Sequence, residues 1–233
     1  MWISGLVVSS RSRPKKWFGG SNQEALMRVR HRVILVAVCL LAACVVRART
    51  EDHHPVSDLP PVDDLGIERW TPPDTVGDIA GVQSRLFRDG RVYIAGQPDE
   101  GALAMFKDRG VTVVVNLRPY REMQDRERVS FDEEAAVARL GLDYIHIPLG
   151  GDDHPYTPAA VDRFAQVLVA HTGPVLLHCS VAWRASYLWI AYLIRYQGFS
   201  LDEAYARGRA IGIGPNVLAE LLGEPLKLVY EKP

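Results

Sequence analysis

The sequence is poor in cysteine, with three in 233 residues, at Cys39, Cys44 and Cys179. The first two lie in an apolar run near the start. The rest of the chain therefore holds one thiol, which excludes a disulfide within it and with it the disulfide-stapled class of small secreted domains. A lone thiol in an oxidising compartment is a chemical liability, so its presence asks for a reason. A membrane-spanning length of apolar residues is also missing. The run VILVAVCLLAACVV, residues 33–46, is fourteen residues long, short of the roughly 20 that a transmembrane helix needs. Net charge is nearly absent at −1, but its distribution is uneven. Residues 1–32 carry seven Lys/Arg and one Glu, leaving 20 basic against 27 acidic residues in the remainder. A body that acidic excludes a general nucleic-acid binder, which needs clustered cations. Internal repeats are lacking too.

What the N-terminus does have is a basic segment, Arg28, Arg30, His31 and Arg32, ahead of the short apolar run. That is the design of a secretory signal, with Met27 as a natural start. Residues 1–26 then read as an upstream extension. The run contains LAAC, Leu41 to Cys44, which resembles the lipobox of bacterial lipoproteins and implies lipidation of Cys44. Cleavage after Ala48, or retention as an uncleaved anchor, are the other readings. Each places the body outside the cytoplasm, periplasmic or held at a membrane. Residues 1–48 are thus expected to be a leader, with 27–44 the signal proper. Residues 49–83 follow as a linking stretch; five prolines among acids between 49 and 78 predict an extended tether.

A folded body is expected over 84–233. RLFRDGRVYIAG (85–96) places Asp-Gly between apolar residues, a hairpin signal. Helical patterns are read at 98–110, at 130–141 with Ser130 as cap, and at 157–171 with Thr157 as cap and a proline at the first turn. Strands are read at 111–117, 143–149 and 174–179, and three more helices at 185–197, 200–210 and 215–223. Such alternation predicts an α/β fold with a mainly parallel sheet and helices on both faces. Ligands of such sheets bind beyond the carboxyl ends of the strands, which is where Cys179 falls.

The stretch HCSVAWRAS, residues 178–186, puts a cysteine at a strand end, a short loop after it, and an arginine at a helix start. Inward-pointing N–H groups of Ser180, Val181, Ala182 and Trp183, backed by the helix N-terminus, form a cradle for a tetrahedral oxyanion. Arg184 supplies a planar fork for two of its oxygens. The same field can lower a thiol pKa from ~8.5 to as little as ~3.5, turning Cys179 into a nucleophile aligned with what the cradle holds. The bland alternative is a buried inert cysteine and an arginine that neutralises a surface acid.

HCSVAWRAS resembles the His-Cys-loop-Arg signature of cysteine-dependent tyrosine and dual-specificity phosphatases. AGQPDEGALAMFKDRGVTVVVNLRPYRE, residues 95–122, is similar to a stretch of the bacterial phosphatases grouped with beta-lactamase hydrolase-like proteins. The resemblance runs from about residue 85 to 212 and implies a three-layer phosphatase-like fold. It also implies hydrolysis of phosphomonoesters, on proteins or small molecules, through a cysteinyl-phosphate, without metal or other cofactor. Cys179 becomes the nucleophile and Arg184 the phosphate ligand, with Ser180 to Trp183 completing the cradle. His178 would brace the loop or be a satisfied core histidine. The family pattern puts a general acid in an upstream loop, here GGDDHPYT (150–157), with Asp153, Asp152 or His154 as candidates and plain turn residues as the alternative. Arg118 either adds positive potential to the site or forms a surface ion pair with Glu122. Two departures stand out. Four residues, not five, separate Cys179 from Arg184, a spacing typical of rhodanese sulfurtransferases. Ala182 stands where glycine is usual, and Ala185 displaces the usual hydroxyl to Ser186, which is expected to reach the sulfur. A sulfurtransferase and a non-catalytic oxyanion-binding domain are therefore the rival readings.

Overall fold

A computed structural model of the chain describes residues 59, 61–77, 79–212 and 217–226. The leader and Cys44 lie outside the described residues. Six strands form one sheet in the order β1-β2-β3-β6-β4-β5. They are β1 (Asp74–Thr75), β2 (Leu86–Asp89), β3 (Val92–Ala95), β4 (Val113–Asn116), β5 (Asp143–His146) and β6 (Val175–His178). β2 and β3 make the hairpin expected at Asp89-Gly90, and β1 adds antiparallel to β2. β3, β6, β4 and β5 are parallel, so the mainly parallel α/β sheet is as expected.

The strands of the parallel core are Val/Leu/Ile-rich because both faces are covered. Val92, Ile94, Val113, Val115, Val175 and Leu177 point to one face, beneath α4 (Pro158–Ala170), α5 (Trp183–Gln197) and the helices after it, α6 (Leu201–Ala210) and α7 (Leu218–Leu222). Tyr93, Ala95, Val114 and Leu176 point to the other, beneath α1 (Glu100–Asp108) and α3 (Glu133–Arg139). The short α2 (Tyr120–Met123) lies between β4 and α3 in sequence. α5 anchors the first layer: Tyr187, Trp189 and Tyr192 are each at most 1% exposed, and full burial of a large apolar side chain stabilises by roughly 1.5–3 kcal/mol.

Four expectations are corrected. The segment read as a tether is body from residue 61 on, among the described residues. Leu65 is buried in the core, its carbonyl accepts the Arg91 N–H at 2.9 Å, and Asp74–Thr75 pairs with β2. Pro72 and Pro73 are compatible with this because an edge strand needs only part of its N–H groups. The cap of α3 is Asp132, which accepts from the Ala135 N–H at 3.1 Å, not Ser130. Thr157 stands at the N-cap of α4 but makes no capping bond. The helix following the cysteine starts two residues earlier than read, at Trp183.

Candidate active site

The parallel strands end in register, Ala95 beside His178, His178 beside Asn116 and Asn116 beside His146. The residues that follow these four ends build the site. Cys179 leaves β6 with its N–H donating to the Ala95 carbonyl at 3.2 Å, and the Ser180 carbonyl accepts from the Gln97 N–H at 3.1 Å. Gly96 faces Val181 across an isolated bridge. This wall tolerates no side chain: a Cβ at Gly96 would overlap the Gln83 carbonyl oxygen and lie 3.1 Å from the Ser180 oxygen.

Ala182 turns the loop into α5 with φ +69° and ψ −9°, the left-handed conformation that glycine adopts without penalty. The departure from glycine is therefore accommodated at a cost of about 1–2 kcal/mol. The first bond of α5 runs from the Ser186 N–H to the Ala182 carbonyl at 2.9 Å. The N–H groups of Trp183, Arg184 and Ala185 precede it and are the unbonded donors of a helix start. No side chain caps them, whereas α1, α3 and α6 are capped by Asp99, Asp132 and Ser200.

Arg184 donates through Nη1 to Glu122 Oε1 at 3.0 Å and to the Leu149 carbonyl at 2.8 Å, and through Nη2 to Glu122 Oε2 at 2.7 Å. A guanidinium carries five N–H groups. Both N–H groups of Nη1 and one of Nη2 are in use, leaving Nε–H and the other Nη2–H as an adjacent pair along one edge. Burial opposes the charge on Arg184, but the Glu122 bond and the charges of Cys179 and Glu122 outweigh it and hold its pKa above the ordinary value. Burial likewise opposes the charge on Glu122, and the bonds and charges of Arg184 and Arg118 reverse this, so its pKa is lowered. The Tyr156 hydroxyl is pushed up, by burial first and then by the charge of Cys179, against the opposing pull of Arg184.

Cys179 is 1% exposed, at the floor beneath an exposed rim of Val181 and Trp183. Only a group that enters the cradle reaches the sulfur. Ser186 does not reach it as expected: its hydroxyl donates to the Ala182 carbonyl at 2.9 Å, an ordinary local bond for a helical serine. Arg118 is not a surface ion pair. It is 1% exposed and donates to Glu122 at 3.1 Å and to Gln97 Oε1 at 2.7 Å, so it touches the site through Glu122. His178 is wholly buried, its Nε2 3.0 Å from Glu133 Oε1. The loop with the acid candidates borders the site, because a Cβ at Gly150 would sit 3.5 Å from Arg184 Nη1. Gly150 N–H donates to the His154 carbonyl at 2.7 Å, closing the loop, and Asp152 and Asp153 are exposed at its tip.

Residues 88–193 match the family described as beta-lactamase hydrolase-like protein, phosphatase-like domain. Two beta-lactamase hydrolase-like proteins of Xylella fastidiosa, strains Temecula1 and 9a5c, are each 32% identical to the chain over 122 residues, 52% of this chain and 28% of theirs. The chain thus spans under a third of the length of these relatives. Among solved structures, Pseudomonas aeruginosa TpbA aligns at 20% identity and TM-score 0.49, over 66% of this chain and 90% of that one. Tk-PTP in its active form aligns at 23% identity and TM-score 0.47, over 58% and 90%.

Two residues of the site, Glu133 and Gln97, and one pairing carry no site signal in the reading of the sequence. Glu133 has the look of an ordinary acid in a first helical turn, yet it precedes Ala136 and Val137 by three and four places on the buried stripe of α3, and that spacing is its signal of burial. Gln97 sat unremarked within the motif AGQP. The pairing of Glu122 with Arg184, 62 positions away, carries no local signal at all.

Proposed function

We propose that the domain hydrolyses phosphomonoesters through a cysteinyl-phosphate on Cys179. The observation that carries this is the unused edge of Arg184: one Nε–H and one Nη2–H beside the uncapped start of α5, next to the only cysteine of the described residues. These donors suit three equatorial oxygens of a phosphoryl group, while Glu122 fixes the guanidinium from behind. The Cys179 thiolate attacks phosphorus, the P–O bond to the alcohol breaks, and a carboxylic acid protonates the leaving oxygen. Water then gives a proton to the resulting carboxylate and attacks phosphorus, the P–S bond breaks, and inorganic phosphate and the thiolate are released. Asp153 or Asp152 fills the acid role best, since the loop bearing them adjoins Arg184 and neither carboxylate makes a hydrogen bond or ion pair among the described residues. His154 is a third candidate.

An aryl phosphate tests this. Wild-type turnover should vanish in Cys179→Ser and fall roughly 100- to 1,000-fold in Arg184→Lys, whose point charge replaces a two-donor edge. Turnover surviving in Cys179→Ser would overturn it, and thiocyanate formed from thiosulfate and cyanide would favour a sulfurtransferase instead. We further propose, on the sequence of residues 27–46, that the protein is exported and lipidated at Cys44, so that the domain works at a membrane outside the cytoplasm. Metabolic labelling with a fatty-acid analogue should mark the wild type and not Cys44→Ser; equal labelling of both would reject the anchor.

A further inference from the structure

Behind the cradle lies a buried carboxylate that the proposed chemistry does not use. Glu133 opens α3, yet its side chain is fully buried. Its carboxylate accepts from His178 Nε2 at 3.0 Å, from Asn116 Nδ2 at 2.8 Å, and from Gln97 Nε2 in a short bond. The Tyr144 hydroxyl, which accepts from Asn116 Nδ2 at 2.8 Å, also bonds to it. Burial opposes the charge of Glu133, but His178 and these donors outweigh it and lower its pKa. No arginine or lysine touches it among these contacts. A buried carboxylate held by a histidine and three uncharged side chains is an expensive way to fill a core, and it costs far more if any donor is lost.

Two arms leave this carboxylate, and both end at the cradle. One is His178, whose backbone continues into Cys179. The other is Gln97. Its backbone N–H donates to the Ser180 carbonyl of the cradle, and its Oε1 accepts from Arg118, which donates to Glu122, which holds Arg184. Glu133 is thus bonded both to the sulfur-bearing strand, through His178, and to the chain of contacts leading to the guanidinium, through Gln97.

We infer that Glu133 is a positioning residue: it sets Cys179 and the free edge of Arg184 in one mutual geometry, through His178 on one side and Gln97–Arg118–Glu122 on the other. This rests on the phosphatase reading above. It makes a specific demand on bond polarity. Glu133→Gln keeps the shape but brings a second donor against Gln97 or His178. Exchanging the pair, Gln97→Glu with Glu133→Gln, restores an acceptor opposite each donor, apart from the Gln97 bond to the Pro98 carbonyl.

The test measures aryl-phosphate kinetics and tungstate affinity in wild type, Glu133→Gln and the exchanged double variant, each checked for folding by near-ultraviolet circular dichroism. The single variant should lose about 10- to 100-fold in kcat with KM changed less than about threefold, the size that attends loss of a supporting hydrogen bond or a ~1 Å misplacement. The exchange should recover most of the loss. A folded Glu133→Gln with wild-type kcat, or a folded double variant no better than the single, would overturn the inference. So would failure of both to fold, which would mark Glu133 as fold-forming only. A wild type without turnover would sink the phosphatase reading instead. Tungstate affinity would then still report on Glu133, weakened in the single variant and restored in the double if the inference holds.

Discussion

Gly96→Ala perturbs the cradle from its outer wall. An added Cβ would lie 2.9 Å from the Gln83 carbonyl carbon and overlap its oxygen, with the Ser180 oxygen at 3.1 Å. The oxygen sets the size: it would lie 1.7 Å from the added carbon, and Cβ contacts under 3.0 Å are essentially never adopted, so the backbone must part by over 1 Å on the Gln83 side. Both neighbours are backbone, held by the Gln83 N–H to Gln97 bond at 2.8 Å and the Gln97 N–H to Ser180 bond at 3.1 Å. A rotamer change cannot relieve the clash. Overpacking of this kind costs about 1–3 kcal/mol. A cradle displaced by ~1 Å should lose about 100-fold in turnover. Denaturant unfolding and aryl-phosphate kinetics read the two effects together. Gly77→Ala is the control: nothing lies within 4 Å of the added carbon, and its φ is not in the left-handed region. That variant should keep wild-type turnover and stay within about 0.5–1 kcal/mol of wild-type stability. Wild-type stability and turnover in Gly96→Ala would refute the claim that Gly96 forms the cradle wall.

Replacing the true general acid, Asp153→Asn or Asp152→Asn, should slow alkyl phosphates far more than activated aryl phosphates, because only a poor leaving group needs the proton; comparing the two substrate classes in each variant identifies it. Glu122 has a lowered carboxyl pKa, so its contribution to stability is present above the unfolded value of about 4.3 and is lost as pH falls through the folded one. Denaturant titrations from neutral pH into that acid window should show a steeper loss in wild type than in Glu122→Gln. Trp189 donates from Nε1 to buried Asp89 at 2.8 Å, so Trp189→Phe should cost about 1–3 kcal/mol, measured as a lower denaturant midpoint.

The legible parts of the molecule were those with local signals. Asp89-Gly90 announced the hairpin, the β-branched run at 111–115 announced β4, and Cys179 with Arg184 announced the cradle, because a strand, a short loop and a helix start fix their relative positions. Even the strained Ala182 was visible as a place where glycine was wanted. What sequence hid was long-range. Glu122 reaches Arg184 across 62 positions. Glu133 looked like a first-turn acid placed for the helix dipole, and only tertiary packing turns it inward. Leu65 and Pro73 sat among acids and prolines without periodicity, so their burial against the sheet could not be read. Ser186 was assigned to the sulfur by analogy, but the nearest acceptor for its hydroxyl is the carbonyl one helical turn back.

The most direct measurement is mass spectrometry of the protein quenched in acid during turnover of an aryl phosphate. A phosphoryl group found on the Cys179 peptide in wild type, and missing from Cys179→Ser, is the predicted result. Steady turnover with no phosphorylated Cys179 at any quench time, or a phosphoryl group on another residue, would contradict the account.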